Sequence, residues 1–422
     1  MLILFGGLFA CLAIGVPVFA ALGVAGAFAM MDYGIELFSI PQTIFDALDS
    51  FTLMAIPFFI LAGSLMQTGG ISRRLINLAN ALVGWLRGGL GASSILTCMF
   101  FATMSGSSSA TTAAVGTSMI PAMENKGYPK NFAAACVAVG GELGAIIPPS
   151  LVMIVYGLIA NVSIGSMFIA GILPGVLVGV SLMMTIIIVA SIVGFDVAER
   201  VEWSTWAVTT LRALKESFLS LLMPLIILGG IYSGAFTATE ASVVAVLYAL
   251  FLGGIVYREL TWHSIRDALK QASIMTAVIM LIIGFAGLFA YMLTLNQIPQ
   301  KFGMIVSELV DGPIGFLLLS NLLLFVSGMF MEAIALIVIL VPILAPIAID
   351  YGINPIHFGI VMIVNICIGM ITPPVGVNLF IACQIANLSV ESLLRPLGIF
   401  LCVLILDVLL ISYIPWLSLA FL

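Results

Sequence analysis

The chain of 422 residues is 63% hydrophobic and only 8% charged, with a net charge of −6 and a mean hydropathy of +1.30. Soluble domains average about 45–50% apolar and about 25% charged residues, so this chain cannot coat itself in water-facing groups. That excludes a soluble enzyme, a nucleic-acid binder and a disordered scaffold, and leaves an all-α polytopic membrane protein whose solvent is the lipid bilayer.

Residues 1–31 read as the first membrane helix: they lack a basic n-region, and the apolar run is too long for a signal peptide. Residues 32–50 carry four acids and no Lys or Arg, which fits an outer face. A spanning helix needs about 20 apolar residues, and further spans read at 51–68, 131–160, 167–195, 217–235, 240–257, 273–298, 356–388 and 397–421. The apolar regions 88–122 and 303–350 are interrupted by polar or Gly-rich points at 105–109 and 327–332 and read as re-entrant hairpins. Residues 197–216 and 258–272 mix Trp, Leu and Arg/Lys at helical spacing, as helices lying in the cytoplasmic interface do. The six cysteines, Cys11, Cys98, Cys136, Cys367, Cys383 and Cys402, stand singly, and His263 and His357 lie far apart. Neither a disulfide framework nor a thiolate or zinc site is expected.

With the N-terminus in the cytoplasm and both hairpins re-entrant, twelve of the thirteen basic residues fall inside, from Arg73 and Arg74 to Arg200 and Arg395, and only Lys301 falls outside. Treating the hairpins as simple spans scatters these charges.

An internal repeat supports this topology. At an offset of 225, Pro121 meets Pro346, Gly127 meets Gly352, Gly144 meets Gly369, and Pro148-Pro149 meet Pro373-Pro374. Composition predicts about 0.4 such Gly/Pro matches over this stretch. Acidic residues 33–47 outside correspond to basic residues 258–272 inside, so the halves run in opposite orientation. The first repeat is 1–195, the linking segment 196–239, and the second repeat 240–422. Each repeat holds a polar hairpin tip, SGSSSATT (105–112) or SGMFMEA (327–333), and a helix broken by Gly and Pro, 131–160 or 356–388. Irregular backbone at membrane depth is tolerated where it is buried or lines a cavity. The prolines remove N–H donors, leaving carbonyls near 144–147 and 369–372 without helical partners, and such oxygens suit a hard monovalent cation.

The ordered set of motifs resembles the large membrane subunit of TRAP (tripartite ATP-independent periplasmic) transporters. It is carried by Ile56-Pro57-Phe58-Phe59 with Leu61-Ala62-Gly63, Ser105 to Thr111, Gly141-Glu142 with Ile147-Pro148-Pro149-Ser150, Thr237 to Ala241, and Gly369 to Gly376. The resemblance implies two inverted-topology repeats working as an elevator-type transporter, which imports an organic acid, such as a dicarboxylate or a sialic acid, across the bacterial inner membrane on a Na⁺ gradient. It implies two separate partners, a small four-helix membrane subunit and a periplasmic substrate-binding protein. It places one Na⁺ site at Ser105, Ser107, Gly144, Ile147 and Pro149, and a second at Gly328, Met329, Ile371, Thr372 and Pro374.

No Lys or Arg lies in either tip or break, so a substrate carboxylate must meet hydroxyls, amides and helix N-termini. Ser108, Ser109, Thr111 and Asn378 are the candidates, against the alternative that they bond only their own helices. Among the intramembrane acids, Glu240 and Asp407 read as locally paired, whereas Glu142 and Glu332 fit either a proton relay or pairing with unwound backbone. The spans 1–31, 167–195, 217–257 and 397–421 are expected to form a static scaffold around the hairpins and broken helices. A stand-alone Na⁺/carboxylate symporter is the alternative of the same architecture. An intramembrane enzyme is disfavoured, because no His or Lys lies near the serine tip to activate a nucleophile.

Overall fold

The computed structural model describes residues 2–36, 38–196 and 202–422. Residues 197–201 of the first amphipathic stretch, with Arg200, lie outside them. In the first repeat the helices are α1 (Leu2–Ala13), α2 (Val18–Asp32), α3 (Ser39–Leu48), α4 (Ala55–Thr68), α5 (Ile71–Val83), α6 (Gly89–Ser105), α7 (Ser108–Asn125), α8 (Lys130–Gly141), α9 (Leu143–Ile146), α10 (Leu151–Ile159) and α11 (Ile164–Val193). After the linking segment come α12 (Trp203–Tyr232), α13 (Ala238–Leu250), α14 (Trp262–Leu295), α15 (Ile298–Leu309), α16 (Gly312–Gly328), α17 (Ala333–Asp350), α18 (Pro355–Met370), α19 (Val377–Ala386), α20 (Val390–Tyr413) and α21 (Trp416–Leu419). Among the described residues there is no strand.

Three expectations are corrected. Residues 1–31 are not one span: Gly15 turns at φ +82°, Pro17 starts α2 without an N–H to donate, and α1 folds back on α2 with Gly7 against Ala25. The N-terminus therefore shares a face with residues 32–36 and does not oppose them. Second, the amphipathic stretches are not separate helices. α12 and α14 run unbroken for 30 and 34 residues, because no Gly or Pro interrupts 203–223 or 262–283. At about 1.5 Å per residue they are longer than a hydrocarbon core of about 30 Å, so their Trp-bearing starts project beyond it. Third, the second hairpin begins at Gly312 and not at 303. Gly312 (φ +73°) turns the chain, and α15 meets α16 at 112°.

The helices sort into two bundles. In one, α2, α3 and α4 pack on α14, and α4 packs on α13. The other holds the hairpins α6–α7 and α16–α17, the broken helices, and also α11 and α20. The expectation that 167–195 and 397–421 stand with the scaffold is thus corrected. Gly171, Gly175 and Gly179 make a small-residue stripe on α11: a Cβ there would fall 2.3 Å from Met153, 2.5 Å from Ile147 and 2.4 Å from Met99. Such stripes let membrane helices approach closely, and this one fixes α11 to the first broken helix and hairpin. α5 and α15 bridge the bundles, with α5 packed on both α12 and α6, and α15 on α14 and α17.

Within the hairpin bundle the repeats interlock. The helix after the first break, α10, lies on α17 of the second hairpin, and its Tyr156 donates to the carbonyl of Pro355 at 2.5 Å. The helix after the second break, α19, lies on α7 and α8 of the first repeat.

Candidate functional sites at the two tip–break junctions

The first junction is assembled by a turn that only a small residue permits. α6 ends at Ser105, and Gly106 adopts a left-handed conformation (φ +60°). A Cβ at Gly106 would sit 2.8 Å from the carbonyl oxygen of Pro149. Ser107 is extended and caps α7, accepting from the amide of Ala110 at 3.5 Å. The Gly106 carbonyl accepts from the amide of Leu151, 3.1 Å away beyond the break, and so stitches tip to broken helix.

Three oxygens gather at this point. Ser105 Oγ is 2.7 Å from Thr111 Oγ1, Thr111 Oγ1 donates to the Ser107 carbonyl at 2.8 Å, and Ser105 Oγ lies 3.3 Å from that carbonyl. Gly144 closes the cluster: a Cβ there would be 2.4 Å from the Ser107 oxygen and 2.5 Å from Thr111 Oγ1. The carbonyls of Gly144 and Ala145 lose their i+4 donors because positions 148 and 149 are proline. Ser105, Ser107, Gly144 and Pro149 thus come together, and Thr111, expected among substrate contacts, joins them. Ile147 lies in the break itself, with its side chain against Gly175 of α11.

The second junction has the same stitching and different lining. The amide of Val375, directly after Pro373-Pro374, donates to the Met329 carbonyl at 3.2 Å. Gly328 and Gly369 touch: a Cβ on Gly369 would fall 2.5 Å from Cα of Gly328 and 2.8 Å from the Phe325 oxygen. Thr372 Oγ1 donates to the Ile368 carbonyl at 2.8 Å. Gly328 and Met329 thus adjoin the break that holds Ile371, Thr372 and Pro374, by backbone more than by side chains. Glu332 occupies the repeat position of Ser107 and likewise caps its helix, accepting from the Ile334 amide at 3.0 Å.

The substrate candidates separate. Ser109 Oγ lies 3.2 Å from Ser107 Oγ at the tip, and Ser108 is buried in the first turn of α7. Asn378 is fully buried and donates to Glu142 Oε1 at 2.5 Å, joining the two broken helices across the repeats. Glu142 Oε2 and Asn378 Oδ1 have no hydrogen-bond partner. Glu240 completes a capping box with Thr237, and Asp407 accepts from Ser181 at 2.5 Å, so both acids are locally paired.

One group escaped the sequence reading. A narrow cleft between the bundles is lined by Ser105 and Ser107 of the tip and, from the facing bundle, by Ser64 and Gln67 of α4 and Gln271 of α14. Polar residues near the ends of otherwise apolar spans were the available signal.

Comparison with known proteins agrees with this architecture. The sequence profile described as "Tripartite ATP-independent periplasmic transporter, DctM component" matches residues 5–417. The chain is 44% identical over 401 residues to the C4-dicarboxylate TRAP transporter large permease protein DctM of Pseudomonas aeruginosa, covering 95% of this chain and 93% of that protein. It is 37% identical over 402 residues to the sialic acid TRAP transporter large permease protein SiaM of Vibrio cholerae, again covering 95% and 93%. In fold it is similar to the YdaH transporter of Alcanivorax borkumensis, with a TM-score of 0.63 at 14% identity over 91% of this chain and 89% of that one. The chain belongs to the DctM family, the large permease component of tripartite ATP-independent periplasmic transporters.

Proposed function

We propose that this permease imports an organic carboxylate across the bacterial inner membrane, coupled to the inward movement of Na⁺. It takes substrate from a periplasmic binding protein and acts with a small four-helix membrane subunit. The observation that carries this reading is the pair of tip–break junctions, each bringing neutral hard oxygens together at repeat-related positions. Among the described residues no three His, Cys, Asp or Glu gather as a metal-binding group. An ion at the first junction meets hydroxyls and a carbonyl, which suit a single positive charge, whereas the divalent cations favour carboxylates; the carboxylate at the second tip, Glu332, accepts from the Ile334 amide. The relatives named for C4-dicarboxylate and sialic acid support a carboxylate as cargo.

The division into two bundles supports an elevator. Each junction draws its oxygens from tip and break together, and pulling these apart would strip an ion of its ligands in a medium of low dielectric. Moving the hairpin bundle as one body, α11 and α20 included, keeps the ligands in place while exposure changes sides. Arg73, Arg74, Arg258 and Lys270 face the cytoplasm on the positive-inside rule, and the α1–α2 fold-back then sets the N-terminus on the outer face.

Purified permease and small subunit in sealed liposomes, supplied with binding protein and labelled succinate or N-acetylneuraminate, test this. Uptake is expected with external Na⁺ and is expected to stop when K⁺ replaces it. Equal uptake in K⁺ refutes Na⁺ coupling, and full uptake without binding protein favours the stand-alone symporter.

A further inference from the structure

With the junctions assigned to ions and Asn378 sealed against Glu142, the hairpin bundle offers a substrate carboxylate only the tip hydroxyls. The cleft beside the first tip supplies further donors. Gly63 of α4 lets the facing bundle close on the tip: a Cβ there would lie 3.1 Å from the Met104 oxygen and 3.2 Å from Ser105 Cα. One turn along α4 is Gln67, and Gln271 of α14, from the same bundle, lines the cleft as well. Neither side-chain amide has a hydrogen-bond partner in the protein, and both residues are exposed at the cleft. Ser64 Oγ is likewise free of protein partners and lies between Gly63 and Gln67 on the cleft wall.

We infer that Gln67 and Gln271, with Ser64, form the fixed half of an anion site and donate hydrogen bonds to a substrate carboxylate held against the tip hydroxyls. This rests on the carboxylate-transport reading above. The chemistry favours amides over guanidinium groups here. A neutral donor pair binds an anion without the desolvation cost of a buried charge, and it lets the anion leave again. The cleft lies toward the end of α4 that leads into Arg73 and Arg74, each 2.9 Å from Glu259. On the orientation above that is the cytoplasmic end. These amides belong to the bundle that stays still, so they meet the substrate only when the tip stands at this end. They govern release to the inside.

The test uses the permease with its small subunit in liposomes, supplied with the binding protein, in a background lacking the six native cysteines, with Gln67→Cys or Gln271→Cys introduced singly. Labelling by a membrane-permeant thiol reagent is followed with Na⁺ alone and with Na⁺ plus succinate or N-acetylneuraminate as probes. The expected result is labelling slowed at least fivefold by one of the acids beyond any effect of Na⁺, with no slowing at Met304→Cys on the far side of the molecule. Slowing by Na⁺ with no further effect of either acid overturns the anion site and leaves Na⁺ coupling standing. No response to Na⁺ or acid overturns both. Gln67→Glu and Gln271→Glu provide the charge readout: each is expected to cut uptake at least tenfold while Gln→Asn at the same position retains a third or more. Equal loss in the Glu and Asn variants marks a packing role and refutes the inference.

Discussion

In the first tip–break junction three oxygens from Ser105, Ser107 and Thr111 lie within 3.3 Å of one another and face a glycine. In the second, the corresponding volume is taken up by Gly328 pressed on Gly369, and the oxygens nearby are backbone carbonyls. Both are stitched the same way, from an amide just past a Pro-Pro pair to a tip carbonyl. The topology is therefore held by backbone in both repeats, while the chemistry of the lining has diverged. A side-chain lining can be altered by removing one hydroxyl. A backbone lining can be altered only by changing how closely two chains approach.

The largest effect follows from that closeness. A methyl on Gly369 would meet Gly328 Cα at 2.5 Å, Gly328 C at 2.7 Å and the Phe325 oxygen at 2.8 Å, all of them backbone. No side chain can swing aside. Overpacking costs about 1–3 kcal/mol in a well-packed core, and here the strain falls on the junction itself. Gly369→Ala is expected to reduce Na⁺-driven uptake below a tenth of wild type and to lower the thermal unfolding temperature in detergent. Gly144→Ala would meet the Ser107 carbonyl oxygen at 2.4 Å, also backbone, and should lose about as much. Wild-type uptake by Gly369→Ala would show that the Gly–Gly contact is not needed.

The bridge between the junctions comes next. Asn378→Ala removes the amide donor to Glu142 Oε1 and leaves the buried carboxyl with only the weak thiol donor of Cys367 beside it. An orphaned buried group costs about 1–3 kcal/mol, more if charged. Glu142→Gln keeps an acceptor for the Asn378 amide and should cost less than Asn378→Ala in thermal unfolding. The reverse order would mean that the bridge does not hold the repeats together.

How far the sequence exposed this comparison depended on punctuation. Gly106, Pro148-Pro149 and Pro373-Pro374 mark turns and breaks locally, and the first hairpin and the broken helices were legible from them, whereas Gly312-Pro313 carries the same signal and the second hairpin still reads from 303. Gly15 and Pro17 carried the same kind of signal, but the apolar run of 1–31 masked it. The Gly171-Gly175-Gly179 stripe was also present, and it explains why α11 stands with the hairpins. What could not be read is the pairing of Glu142 with Asn378, 236 positions apart, or the convergence of Gln67 and Gln271 on one cleft. Those contacts follow from α19 crossing onto the other repeat and from α4 facing the tip, and no local pattern encodes either. Thr111 was legible as a polar tip residue, while its place among the oxygens depended on the turn at Gly106.

The smallest effects should come from single hydroxyls, and their order tests the contrast most finely. Thr111 Oγ1 touches both Ser105 Oγ and the Ser107 carbonyl, so Thr111→Val removes the central member of a side-chain cluster. A net loss near 1 kcal/mol per hydrogen-bonding group would raise the Na⁺ concentration for half-maximal uptake several-fold, up to about tenfold. Ser105→Ala, at the cluster's edge, should raise it about threefold. Thr372 Oγ1 is spent on the Ile368 carbonyl one turn back along its own helix, a bond that hydroxyls make in many membrane helices. Thr372→Val frees that carbonyl and leaves the backbone lining intact, so its shift should stay within about twofold. If Thr372→Val shifts the Na⁺ dependence as much as Thr111→Val, the second junction also relies on a side chain and the contrast fails. If Thr111→Val leaves it unchanged, the ion does not sit among these three oxygens, because a ligand at the centre of the cluster cannot be lost without weakening the hold on a cation.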